Sequence, residues 1–284
     1  MIYTAPTSLH GISWKNPFYL QKGDEYPVTP ELEAAIAAAR AAGELLWEEW
    51  GTAHQIRHKG PADLVTEMDQ QAQDLIASML REPFPAYGLM GEEGDGQFVS
   101  DNPRWLVDPL DGTTNYARGY PFFAVSIALE RDDEIVLGVV YNPVLDELFV
   151  AEQGGGATLN GNPIHVSTRN DLGESLLASG FPYNAWTSQA DNGQEWHCFI
   201  KRALSLRSDG SAALDLCHVA MGRIDGFWEL ELGPWDMAAG ALIVQESGGT
   251  VSQVNGDLFT PYGRGLLATN GHLHAAMLAV LREG

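Results

Sequence analysis

The sequence predicts an α+β protein in which helices and strands layer upon each other twice. Three observations carry that expectation: helical patterns dominate before residue 82, a run of strands fills 84–150, and strands alternate with helices from about 175 onward. Residues 1–28 hold Trp14, Phe18, Tyr19 and Tyr26 among Gly and Pro without either period, and read as an N-terminal extension. Thr29 and Pro30 form a cap and first-turn pair, after which Leu32, Ile36, Ala39, Gly43, Leu46 and Trp50 mark one helical face ending at Gly51. A second helix is expected from Thr66 to Arg81. YGLM, RWLV, FFAVSIALE, IVLGVVY and ELFVAE then predict an antiparallel meander, with a charged turn at Arg131–Glu134.

Gly154–Gly156 lacks the Lys-Ser/Thr of a P-loop and reads as a hairpin turn. The turn-rich stretch from Gly154 to Asn170 is the candidate boundary between sub-domains at 29–160 and 161–284. Beyond it the pattern predicts a strand at 175–179, a helix around 190–205 and an almost wholly apolar helix from Ala212 to Met221. A strand at 224–230, a helix from Met237 to Ser247, a strand at 265–269 and a helix from His272 to Arg282 complete the chain.

The 284 residues carry 38 acidic side chains against 16 Lys and Arg, a formal charge of −22. Such a field repels nucleic acid and anionic membrane surfaces, so neither is an expected partner. Two cysteines, Cys198 and Cys217, are too few for a disulfide framework and suit a reducing cytoplasm. No basic leader precedes an apolar stretch, and apolar runs such as 237–244 fall short of the roughly 20 residues of a membrane span.

GEEGDG at 91–96 and VDPLDGTTN at 107–115 form the densest acidic constellation. Each is compatible with a plain turn. RWLV, however, leads as a buried strand directly into Asp108, where an unpaired carboxylate is costly. Pro109 restricts the backbone, so Asp108, Asp111 and the Leu110 carbonyl can converge on hard cations. Gly112 and Thr113 then offer backbone N–H groups to an anion beside them. All-oxygen ligation without His or Cys favours Mg²⁺, with Mn²⁺ as a substitute. Asp236 in PWDMAAGALIVQESGG reads as the N-cap of a helix starting at Met237, and Thr66 with Asp69 in DLVTEMD as a capping box. Trp105 and Trp235, just before acidic motifs, are expected to support the core.

KGPADLVTEMD, GEE, WLVDPLDGTTNYARGYPFFAVSIAL, GSAALDLCHVAMGRIDGFWE and PWDMAAGALIVQESGG together resemble, in order and approximate spacing, the inositol monophosphatase family of Mg²⁺-dependent, lithium-sensitive phosphomonoesterases. The resemblance covers about residues 30–283. It implies a layered α-β-α-β-α sandwich of the inositol monophosphatase and fructose-1,6-bisphosphatase type, and a homodimer. It further implies that Glu92, Asp108, the Leu110 carbonyl, Asp111 and Asp236 hold about two or three Mg²⁺ per site. Asp69 and Thr113, with Glu92, would position and activate the attacking water, and no phosphoenzyme would form. Gly112 and Thr113 would hold the phosphate, and Lys59 and Glu93 would be accessory.

Glu229 matches the glutamate that takes sugar-alcohol hydroxyls, and Gly210, Ser211 and Ala212, with Asp111, match the segment lining the polyol. The expected substrate is therefore a small phosphorylated metabolite, foremost myo-inositol 1-phosphate. Nucleotidase action on 3′-phosphoadenosine 5′-phosphate, fructose-1,6-bisphosphatase, histidinol-phosphate phosphatase and a regulatory protein-binding role are the alternatives. Asp209 and Glu231 add acid near that region, which disfavours a second phosphate on the substrate.

Overall fold

The computed structural model describes residues 29–52, 56–60, 64–93, 102–188 and 190–283. The expected extension at 1–28 and residues 94–96 of GEEGDG lie outside them. The chain begins with α1 (Pro30–Glu49), a minimal ladder of β1 (Arg57–His58) and β2 (Leu64–Val65), and α2 (Glu67–Arg81). Next come β3 (Gly88–Gly91), β4 (Arg104–Asp111), α3 (Thr113–Ala117), β5 (Ala124–Arg131), β6 (Glu134–Asn142), β7 (Glu147–Glu152), β8 (Gly156–Leu159) and β9 (Asn162–Pro163). The second half holds β10 (Leu176–Ser179), α4 (Gly193–Phe199), β11 (Ser205–Arg207), α5 (Ala212–Ala220), β12 (Gly226–Leu230), α6 (Pro234–Glu246), β13 (Thr250–Ser252), β14 (Gly265–Thr269) and α7 (His274–Leu281).

Strands β3 to β9 form a seven-stranded sheet in sequence order, and a five-stranded sheet runs β11-β10-β12-β14-β13. Helices α1 and α2 cover the outer face of the first sheet with one core cluster. A second cluster fills the space between the sheets around α5 and α6, and a third joins the second sheet to α4 and α7. These are the five alternating layers of an α+β sandwich. α5 and α6 are apolar on nearly all sides because a sheet lies on each side of their layer. In α1, Ala35, Ala38, Ala39, Ala42 and Gly43 are buried, and this narrow stripe lets the helix lie close to β6. A methyl on Gly43 would strike the Tyr141 ring.

Four expectations need correction. The meander is not antiparallel throughout, because β3 pairs with β4 in parallel, Gly91 opposite Val107. Parallel pairing lets both strands end at the same edge, which brings Glu92 and Asp108 together. The helix expected at 190–205 stops at Phe199, and Ser205–Arg207 instead forms a strand on the edge of β10. The turn-rich stretch contains the β8–β9 hairpin, so the first sheet ends at Pro163 and the second begins at Leu176. Finally, α6 starts at Pro234, with Gly233 as its N-cap, so Asp236 sits in the third helical position.

Candidate active site

The site lies where the first half of the chain meets the second, at the ends of β3 and β4. Pro109 has no N–H for the ladder, and β4 bulges there: Asp108 opposes Ser126 and Asp111 opposes Ala124, leaving two residues against one. The Asp108 carboxylate accepts the Leu110 N–H at 2.9 Å. Asp111 accepts the Ser211 hydroxyl at 2.5 Å and the Ala213 N–H at 2.8 Å, which fastens β4 to the start of α5. Gly112 then turns the chain with φ +94° into α3. A side chain there would meet the carbonyls of Phe122 and Gly210 at 3.0 and 3.1 Å.

Asp69, 1% exposed, accepts the Thr66 N–H and hydroxyl with one oxygen, both at 2.7 Å. Its other oxygen takes the Thr113 hydroxyl at 2.8 Å. The capping box is therefore present, and it aims the same carboxylate at Thr113. Asp236 likewise accepts the Gly233 N–H at 2.7 Å as the third residue of its helix. Ser126, the ladder partner of Asp108, donates to the Trp235 carbonyl at 3.2 Å and so holds the start of α6 beside β4.

Burial raises all four central carboxyl groups. Asp108 rises far above the usual carboxylate range through burial, reinforced by Glu92, Asp111 and Asp236. Asp236 does the same through burial, Glu92 and Asp111. Burial lifts Asp111 to about 6, although Ser211 and the Ala213 and Ala212 N–H groups hold it down. Glu92 rises to about 7 through burial, against the opposing pull of Lys59. The Lys59 ammonium bonds Glu92 at 3.1 Å and also Glu93, whose backbone Gln73 grips at both N–H and carbonyl. Among the described residues no three His, Cys, Asp or Glu meet in metal-binding geometry. The donor set nevertheless fits a hard cation, since four carboxyl groups repel one another in a desolvated site with one ammonium among them.

On the far side, Glu229 in β12 accepts the Gly180 N–H, and burial together with Asp111 raises it to about 8. Gly210, with φ +82°, is pinned by Asn115, whose amide donates to the Asp209 and Gly210 carbonyls at 2.8 and 3.3 Å. Chemically, this is a desolvated acidic cluster with a hydroxyl–carboxylate pair beside it and the buried Glu229 carboxyl on its far side. That combination suits metal-assisted hydrolysis of a phosphate ester.

The Inositol monophosphatase family signature matches residues 28–284. The chain belongs to the inositol monophosphatase family. Inositol monophosphatase 3 of Solanum lycopersicum is 44% identical over 259 residues, covering 89% of this chain and 96% of the relative. Inositol-1-monophosphatase of Synechocystis is 45% identical over 254 residues, 88% of each chain. The solved structure of a Thermotoga maritima IMPase superposes with a TM-score of 0.83 at 36% identity, over 90% of this chain and 98% of that one. The family makes this chain a phosphatase and places it in a metal-dependent group.

Within that family frame the sequence-predicted residues fall on one locus, with Ser211 and Ala212 reaching it through Asp111. Trp105 is buried as a core support, whereas Trp235 is only half-buried. Sequence reasoning missed Gln73, Asn115, Ser126 and Tyr183. Gln73 was findable, since it lies four residues after Asp69 on the same helical face. Tyr183 had no signal: it is 54% exposed in a turn, yet burial of its hydroxyl and the charges of Glu92, Asp236, Asp111 and Asp108 raise its pKa.

Proposed function

We propose that the chain hydrolyses myo-inositol 1-phosphate, or a closely similar polyol monophosphate, with Mg²⁺. The observation that carries this reading is the set of mutually repelling, buried carboxyl groups of Glu92, Asp108, Asp111 and Asp236 beside the Thr113–Asp69 pair. Glu92, Asp108, Asp111, Asp236 and the Leu110 carbonyl would hold the metal. Bound there, Mg²⁺ would neutralise phosphate charge and increase the acidity of water.

The chain's own residues do the rest. Thr113, donating to Asp69, keeps oxygen lone pairs for a water on the attack side, and Asp69 is placed to draw proton density through that hydroxyl. The first N–H groups of α3 have no intrahelical partner and suit the phosphate oxygens. Glu229 and the Gly210–Ala212 segment suit the hydroxyls of the leaving alcohol. Substrate would thus bridge two sub-domains, the first running through β9 to Pro163 and not ending at 160, with Asp111 bonded across the join to Ser211 and Ala213. Lys59 and Glu93 serve as accessory groups that set the position of Glu92.

A homodimer in the cytoplasm completes the proposal. Its support is the series of large exposed apolar side chains at Phe181, Trp186, Ile200 and Leu204, which a second copy would cover. Phosphate release from inositol 1-phosphate, 3′-phosphoadenosine 5′-phosphate, fructose 1,6-bisphosphate and histidinol phosphate, with and without Mg²⁺, tests the substrate. Inositol 1-phosphate should lead the panel, and negligible turnover of it relative to the others would sink the reading. Light scattering on the eluting protein tests the dimer.

A further inference from the structure

We propose that Asn192 is a positioning residue for the leaving-group side of the site, acting on Glu229 through the backbone of Gly180. This rests on the reading of Glu229 as the receiver of substrate hydroxyls. Strands β10 and β12 pair in parallel with Ser179 opposite Trp228, so Gly180 leaves β10 beside Glu229. The Gly180 N–H is held by the Glu229 carboxylate, and a methyl on Gly180 would overlap that carboxylate. Its carbonyl is held from the other end, where the Asn192 amide donates at 2.5 Å.

Asn192 is fully buried, and both polar atoms of its side chain are committed. Its amide nitrogen also donates to the Ser179 hydroxyl at 2.7 Å, and its oxygen accepts the Trp228 indole N–H at 2.7 Å. Its backbone is left-handed, φ +66°, a conformation Asn tolerates better than most residues. Trp228 and Glu229 are neighbours on one strand and project to opposite faces. One amide therefore ties the Trp228 face to Gly180, the residue whose N–H faces Glu229. Without it the Gly180 carbonyl keeps only the 3.4 Å contact from the Ser179 hydroxyl, and Gly180, with no side chain to restrict its two backbone dihedrals, is free to swing its N–H away from Glu229.

The test measures kcat and KM of the intact enzyme with myo-inositol 1-phosphate and with p-nitrophenyl phosphate, whose leaving group has no polyol hydroxyls. Asn192→Ala should lower kcat/KM on the inositol ester at least ~10-fold more than on the nitrophenyl ester, mainly through KM. It should add little when placed on Glu229→Ala. Trp228→Phe, which removes the indole donor along with part of a fully buried ring, should shift the ratio the same way by less. If Asn192→Ala does not fold, Trp228→Phe and Gly180→Ala carry the test, the latter matching the selectivity of Glu229→Ala. Equal losses on both substrates, or full additivity with Glu229→Ala, would overturn the proposal. A Glu229→Ala enzyme with unchanged selectivity would overturn the underlying reading of Glu229 as well.

Discussion

Asp69 closes the capping box of α2 with one carboxylate oxygen and receives the Thr113 hydroxyl with the other. Structural and chemical roles share one side chain, so substitutions at the two ends of this bond should differ. Thr113→Val keeps the shape and exchanges the hydroxyl for a methyl; kcat should fall about 100-fold or more while the cap of α2 stays intact. Asp69→Ala should lose that activity and also about 1 kcal/mol of stability through the cap. Phosphate release combined with thermal melts checks both, and a fully active Thr113→Val would remove Thr113 from the chemistry. DLVTEMD shows why the site was only half legible locally. Cap and catalytic pair need the same residue type at the same spacing, and the second partner lies 44 residues away.

The elements that hold the two sheets together make their own predictions. Gly138 in β6 faces the Ala239 backbone of α6 so closely that a methyl would stand 2.7 Å from its carbonyl oxygen. Gly138→Ala should therefore cost about 1–3 kcal/mol by overpacking, read from denaturant unfolding. α5 is fastened to β7 by His218, Arg223 and Glu147: Arg223 lies 3.0 Å from the His218 Nε2 and bridges to Glu147. Burial and the Arg223 charge push His218 down to about 4, so it is neutral when folded and protonates near 6.5 when unfolded. Between those values the unfolded chain binds the extra proton. Stability should thus fall as pH drops from about 6.5 to 4, by up to about 3 kcal/mol, and a His218→Gln variant should flatten the slope. Helix and strand identity here followed from periodicity. The α6 start did not, because Pro234 at the first position moves the boundary three residues ahead of the apolar run.

Across the whole molecule, the −22 charge has a local and a general part. The local part is the acidic site, and a divalent cation that binds only the folded chain should stabilise it. Mg²⁺ at about 100 times its Kd should add about 2.7 kcal/mol, seen as a thermal shift absent in equal ionic strength of NaCl. Asp108→Asn should abolish the shift, and a full shift in that variant would place the metal elsewhere. The sequence alone determined the layered α+β class, the acidic motifs and the oxygen-rich chemistry, because burial periodicity and turn residues are local properties. Tertiary structure alone decided that β3 and β4 run parallel, that Asp111 fastens to α5 across 100 residues, and that Asn192 and Glu229 hold Gly180 from its two sides. Those contacts depend on which strand edges meet and how closely the layers pack, and no spacing along the chain encodes that directly.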